Sequence, residues 1–198
     1  MPFADPAGAW SRRFAGNDYL FGFEPNAWLR EHASVWSPGD RVPCVADGEG
    51  RNSVWLTGKG LTVDAFDVAE VGVAKARRVA LERGVTVNFA VTDCDAYPWP
   101  EAVYDGVAAI FVQFADPAMR GRLFAHIVRS LKPGGPGYCR AIAIHRSNST
   151  TARAGRRWRR ICTPRPCCAR PSLISTWSCC VSTRPTLPRA AVIAATRH

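Results

Sequence analysis

Val42-Pro43-Cys44-Val45-Ala46-Asp47-Gly48-Glu49-Gly50-Arg51-Asn52-Ser53-Val54-Trp55-Leu56 is the stretch that decides the fold of this chain. The apolar run from Arg41 to Ala46 reads as a short strand. Pro43 cannot donate to a ladder, so it is expected near a strand start. Asp47-Gly48-Glu49-Gly50 follows, then a helical pattern from about Ser53 to Lys59, closed by Gly60 as a C-cap. Strand, glycine turn and helix in that order open a βαβ unit. Glycines at such a turn let a ligand approach the backbone, and the helix N-terminus offers unpaired N–H groups.

The pattern repeats downstream. Leu61 to Phe66 is a second strand closed by Asp67. Val73 to Arg83 is a helix with Val73, Ala76, Val79 and Ala80 on its apolar face; Lys75, Arg77 and Arg78 are expected in water. Val85 to Val91 alternates as a third strand, ending at Thr92-Asp93, and a loop with Tyr97 and Trp99 is expected to pack on itself. Tyr104 to Phe111 is nearly all apolar, as a strand buried on both faces should be. Pro117 to Leu131 is a helix with Leu123, Phe124, Ile127 and Val128 on one face and His126 exposed, before a Lys132-Pro133-Gly134-Gly135 turn. Upstream, the aromatic-rich segment Trp10 to Trp36 reads as one or two short helices around Phe21-Gly22-Phe23-Glu24-Pro25-Asn26, with Asn26 as a helix cap. The expected fold is α/β: a Rossmann-like, doubly wound, mostly parallel sheet.

Asp67 lies 19 residues after Gly48, at the end of the second strand, where a carboxylate can accept from both hydroxyls of a ribose. Asp93 ends the third strand and can face an adenine edge. Both lie at carboxyl ends of neighbouring strands, where open α/β sheets bind ligands. A lone pair of glycines is as often a tight connection. The glycines, the two acids and the Leu131-Lys132-Pro133-Gly134-Gly135 turn together are far more specific. A nicotinamide site is the nearest competitor, but it wants a third glycine where Ser53 stands and leaves the Lys-Pro-Gly-Gly turn unexplained.

Phe14-Ala15-Gly16-Asn17-Asp18-Tyr19-Leu20-Phe21-Gly22, Glu24-Pro25-Asn26, Ala46 to Leu56, and Gln113-Phe114 resemble class I S-adenosylmethionine-dependent methyltransferases of the tellurite-resistance (TehB-like) and thiopurine-methyltransferase group. The resemblance covers about residues 10–135. It implies S-adenosylmethionine as cofactor and a small-molecule methyl acceptor as partner. It places Gly48 and Gly50 near the methionine portion, Asp67 and Val68 at the ribose, Asp93 and Cys94 at the adenine, and Phe111 on the far wall. Tyr19, Phe21 and Gly22 would fold over the cofactor, and Asp47, Glu49 and Asn52 complete the implied cofactor set. The sequence departs from the pattern at Pro43 and at Cys44, where these enzymes often carry an acid. The implied chemistry is an in-line displacement at the sulfonium methyl, which needs alignment and exclusion of water. No catalytic base and no metal ligand is assigned.

The net charge of +10 divides unevenly. All 16 acidic residues lie between Asp5 and Asp116, whereas residues 136–198 hold twelve Arg, no Lys, no acid, and six of the eight Cys. Cys167-Cys168 and Cys179-Cys180 lack the spacing of zinc pairs. A basic tail that binds nucleic acid is one alternative; nucleic acid is not the partner expected here. The reading preferred is a frameshift. Taking the third base of each codon with the first two of the next, from Arg140 to His198, yields a text with acids, an amphipathic helix pattern and an alternating strand pattern. That text resembles the C-terminal part of the same family. The chain is therefore expected to divide into a cofactor-binding domain over 1–135 and an aberrant, poorly ordered tail over 136–198. Its C-terminal strands should be missing or disrupted, with Tyr138 to Ile144 able to pair as a substitute strand. Activity of this chain and its oligomeric state are left open. No apolar run approaches about 18 residues and no leader pattern opens the chain, so a cytoplasmic protein is expected.

Overall fold

Alternation along the central strands sets the architecture. The computed structural model describes residues 5–133, 141–144 and 158–161. The chain runs through α1 (Pro6–Phe14), α2 (Ala27–His32), β1 (Arg41–Val45), α3 (Arg51–Gly58), β2 (Thr62–Asp67), α4 (Glu70–Glu82), β3 (Asn88–Val91), β4 (Val107–Ile110), α5 (Pro117–Ser130), β5 (Ala141–Ile144) and β6 (Trp158–Ile161). The sheet order is β3-β2-β1-β4-β5-β6. All pairings are parallel except the last, β5 with β6.

Successive residues of a strand face opposite sides, and here both sides are buried. Val42, Cys44, Val63, Ala65, Ala108 and Ile110 pack with Leu29 and Leu56 on one face. Val45, Phe66, Val107 and Ala109 pack on the other with Leu123 and Ile127 of α5 and with the aromatic loop. Helices on both faces make the sheet doubly wound. In that loop Tyr97 stacks on Phe66 at 4.1 Å between ring centroids, and Trp99 meets Phe66 edge-on at 5.6 Å. Trp99 is buried in the core and Tyr97 is half-buried against it, so the loop's aromatics pack on the sheet. His126 is half-buried and stacks parallel to Trp99, so it is less exposed than its position on the helix suggested.

Several boundaries move for local reasons. Pro43 is tolerated in a central strand. Arg41 donates its N–H to the Asp105 carboxylate and accepts from the Asp105 N–H, so positions 41, 43 and 45 face β4. The ladder to β4 begins only at Cys44, and the missing donor of Pro43 removes no rung. β3 is shorter than expected because Val85 returns its N–H to Ala80 at the end of α4 and packs, with Val87, on the α3–α4 cluster. β4 is shorter too: Tyr104 forms only an isolated bridge with Leu131, and Phe111 turns left-handed at φ 62°.

Within the tail, a strand forms where Tyr138 to Ile144 is expected to substitute, and a second strand, not expected, lies beyond it. Ala141–Ile144 pairs parallel with β4, and Trp158–Ile161 pairs antiparallel with Ala141–Ile144. The open apolar edge of β4 is a backbone template that needs no particular side chain from its partner. The rest of the tail expectation, and Gly134-Gly135 of the turn, lie outside the described residues. Among those described, no helix is long and apolar enough to cross a membrane.

Candidate functional site: a glycine loop at the strand ends

The loop between β1 and α3 carries three left-handed residues: Ala46 (φ 51°), Gly48 (φ 63°) and Gly50 (φ 87°), the last being the N-cap of α3. Gly50 is required twice over. Its φ suits glycine, and a Cβ there would sit 2.6 Å from Ala76 Cβ and 2.9 Å from Ala76 Cα on α4. A Cβ on Gly48 would stand 3.2 Å from the Phe14 ring. Helix α4 and Phe14 thus occupy the side-chain directions of both glycines, and what the loop can offer a ligand is its backbone.

Two carboxylates, Asp67 buried and Asp47 half-buried, organise this loop. Asp67, at the end of β2, accepts from Gly48 N–H (2.9 Å) and Ala69 N–H (2.8 Å). Burial raises its pKa, and the backbone N–H groups of Ala69, Gly48 and Val68 oppose that rise. A carboxylate has about four acceptor directions, so these bonds leave capacity for ribose hydroxyls. Asp47 accepts from the Ser53 hydroxyl and the Ser53 N–H, which braces the loop against the first turn of α3. Burial, and then the nearby charge of Asp67, push Asp47 up to about 6 against the pull of Ser53.

The remaining implied residues are distributed around this centre. Asp93 is exposed, and its Oδ1 caps the turn by accepting from Asp95 and Ala96 N–H. Thr92 N–H donates to the Asp67 carbonyl, which ties the end of β3 to the end of β2. Cys94 is buried in the aromatic core, its thiol pushed up to about 12 by burial and by the Asp93 and Asp95 charges. Val68 is half-buried beside Asp67. Phe111 ends β4, and a bulky residue held left-handed there is strained.

The aromatic segment meets the loop through polar links. Glu49 accepts from Leu20 N–H at 2.7 Å and pairs with Lys75 at 2.8 Å. Arg51 donates to the Phe21 carbonyl and lies over its ring; Asn52 accepts from Asn26 N–H. Tyr19 turns its hydroxyl to Arg78 and to the Lys75 carbonyl. Gly22 sits at φ 67° in the following turn. Glu49 and Asn52 are therefore spent on the N-terminal segment, and Phe21 is half exposed.

Lys75 corrects the expectation that it is in water: it is buried. Its helical spacing from Gly72 and Val79 placed it on the inner face of α4, a signal that its residue type hid. Phe14, which the sequence leaves between core and cofactor wall, is buried with its ring against Gly48 and Gly72. Among the described residues no group of His, Cys, Asp and Glu is arranged to hold a metal.

Residues 42–135 match the methyltransferase domain family. That segment spans β1 to the turn after α5, the part that carries the glycine loop, Asp67 and Asp93. Among solved structures, a protein of Pyrococcus horikoshii OT3 is 26% identical over 59% of this chain and 54% of its own, with a TM-score of 0.53. Geranyl diphosphate C-methyltransferase of Streptomyces coelicolor A3(2), solved with S-adenosyl-L-homocysteine, is 20% identical over 60% of this chain and 43% of its own, at TM-score 0.51. The cyclase SpnF is 23% identical over 71% and 56%, at 0.53. The chain spans about half the length of the solved structures it resembles. The last two likenesses speak for the fold alone, and that fold serves a methyltransferase and a cyclase. No curated protein matches the chain by sequence.

Proposed function

We propose that this chain derives from a small-molecule S-adenosylmethionine-dependent methyltransferase of the tellurite-resistance and thiopurine group, acting in the cytoplasm. The observation that carries the reading is the bond from Gly48 N–H to Asp67, which joins the glycine loop to an acid at the next strand end. When bound, the cofactor supplies a methyl group on a cationic sulfur. Asp67 would hold the ribose hydroxyls, and the backbone from Gly48 to Gly50 the methionine portion. Asp93 and Cys94 would border the adenine, and Phe111 the far side. The donor set suits a cationic ligand: two carboxylates, half-buried Asp47 and buried Asp67, lie close enough that the Asp67 charge raises the pKa of Asp47. Tyr19, Phe21 and Gly22 would exclude water, and no side chain is assigned as a base.

Residues 136–198 are read as the out-of-frame translation of the family's C-terminal part, which supports ancestry more than turnover. Sequencing the DNA around the codons for Gly134 to Arg140 tests this, and an intact single frame would sink it. The function is tested by calorimetric titration with S-adenosylhomocysteine. Saturable binding is expected, weakened more than about tenfold by Asp67→Ala, the worth of charge-assisted hydrogen bonds. Binding unaffected by that substitution would reject the assigned site.

A further inference from the structure

Leu20, Phe21 and Phe23 are 45%, 49% and 50% exposed. A segment that leaves three large apolar side chains half in water is not held down by hydrophobic burial. Its neighbours hold it by its backbone. Lys75 Nζ donates to the Asp18 carbonyl at 2.7 Å, and Glu49 Oε2 accepts from Leu20 N–H at 2.7 Å. Between those two anchors Glu49 and Lys75 pair with each other at 2.8 Å, with side chains 3% and 9% exposed. The Tyr19 ring lies 5.1 Å from the ammonium, adding a cation–π contact.

Burying an ion pair is expensive, and an apolar pair of similar volume would join the loop to α4 as well or better. The charges make sense where they meet polar groups that nothing else satisfies. Here those groups are one carbonyl and one N–H of a single irregular stretch. Glu49 also stands between Gly48 and Gly50, so the backbone that would face the cofactor carries the side chain that grips Leu20.

We propose that Glu49 and Lys75 are positioning residues that latch Asp18–Phe21 to the glycine loop, so that placement of this segment and cofactor affinity are coupled. The coupling rests on the methyltransferase reading above. Neither residue touches reacting atoms; each acts through the segment it holds. Coupling of this kind is reciprocal: a cofactor that orders the loop protects the segment, and a variant that frees the segment weakens the cofactor.

The test is amide hydrogen exchange on the full chain, with and without S-adenosylhomocysteine, beside calorimetric titration of the same ligand. Lys75→Met should speed exchange of the Leu20 and Gly22 amides about tenfold while the β2 amides keep their rates. The same variant should raise the Kd about five- to tenfold, at the low end of usual couplings. Glu49→Gln keeps an acceptor for Leu20 N–H and should show smaller changes in both. If Lys75→Met does not fold, the double variant Glu49→Gln with Lys75→Met removes both charges and takes the same readouts. Leu20 exchange unchanged beside intact β2 protection would overturn the latch. Faster Leu20 exchange with an unchanged Kd would overturn the coupling. Failure of the unsubstituted chain to bind would overturn the cofactor reading and the coupling with it, while the exchange rates still decide the latch.

Discussion

Two buried aspartates stand three residues apart on β2 and have been given opposite surroundings. Asp64 faces the amino-terminal half of the sheet. It takes the Arg41 guanidinium at 2.8 Å and the Asn88 amide at 2.8 Å, and Arg41 also lies over the Tyr104 ring. Asp67, at the carboxyl end, takes its hydrogen bonds from backbone N–H groups of Gly48 and Ala69, and its charge acts on another acid, Asp47, whose pKa it raises. Asp64 is neutralised by a cation of its own protein. Asp67 and Asp47 keep a negative field at the end of the sheet where α/β folds bind ligands. The first arrangement fixes β1 against β2; the second is poised for a positively charged guest.

The sharpest break in this comparison is predicted at the carboxyl end. Gly50→Ala puts a Cβ against the Ala76 backbone at a left-handed φ and should cost about 3 kcal/mol. Urea denaturation would read it; a loss under about 1 kcal/mol would show that α4 can retreat and that the loop is not clamped. The next effect is a pH dependence. An acid whose pKa is raised by folding stabilises the protein while protonated, so the contribution of Asp47 is full below its unfolded value near 4 and is lost as pH rises through about 6. A shift of that size corresponds to about 3 kcal/mol at most. Thermal melts should show stability falling between pH 4 and 6, and Asp47→Asn should flatten that slope; an unchanged slope would place the titration elsewhere. The smallest effect belongs to the amino end. Arg41→Met leaves Asp64 without its cation, with the Asn88 amide and the Tyr104 hydroxyl as partners, and because the Arg41 side chain is 42% exposed water moderates the loss, to about 1 kcal/mol. It should leave S-adenosylhomocysteine affinity unchanged. A drop in affinity would mean that the two ends of β2 are not independent.

Much of this was legible in the residues. Apolar runs at β1, β2 and β4 and period-3.6 runs at α4 and α5 are local patterns, and each appears within a few residues of its expected place. Asn26 caps α2 as its type suggests, accepting from Trp28 and Leu29 N–H. The glycine loop, Asp67 and Asp93 are at successive strand ends, because strand ends follow from where apolar runs stop. The boundaries that moved did so where a nonlocal partner took over. Val85 follows α4 instead of extending β3. Phe111 abandons the strand for a left-handed turn that no residue preference announces.

The sequence alone determined the alternating strands and helices, the position of the ligand-facing end, and the break in composition after Gly135, because these depend on order, spacing and residue type. Only the tertiary structure decided what each polar group is for. Glu49 lies two residues from Asp47 in the same loop, yet one reaches back to Leu20 and across to Lys75 while the other braces Ser53. Gly50 is a glycine because of Ala76, 26 residues away. Such assignments depend on which charges share a dry space, a distance in three dimensions that sequence separation does not encode.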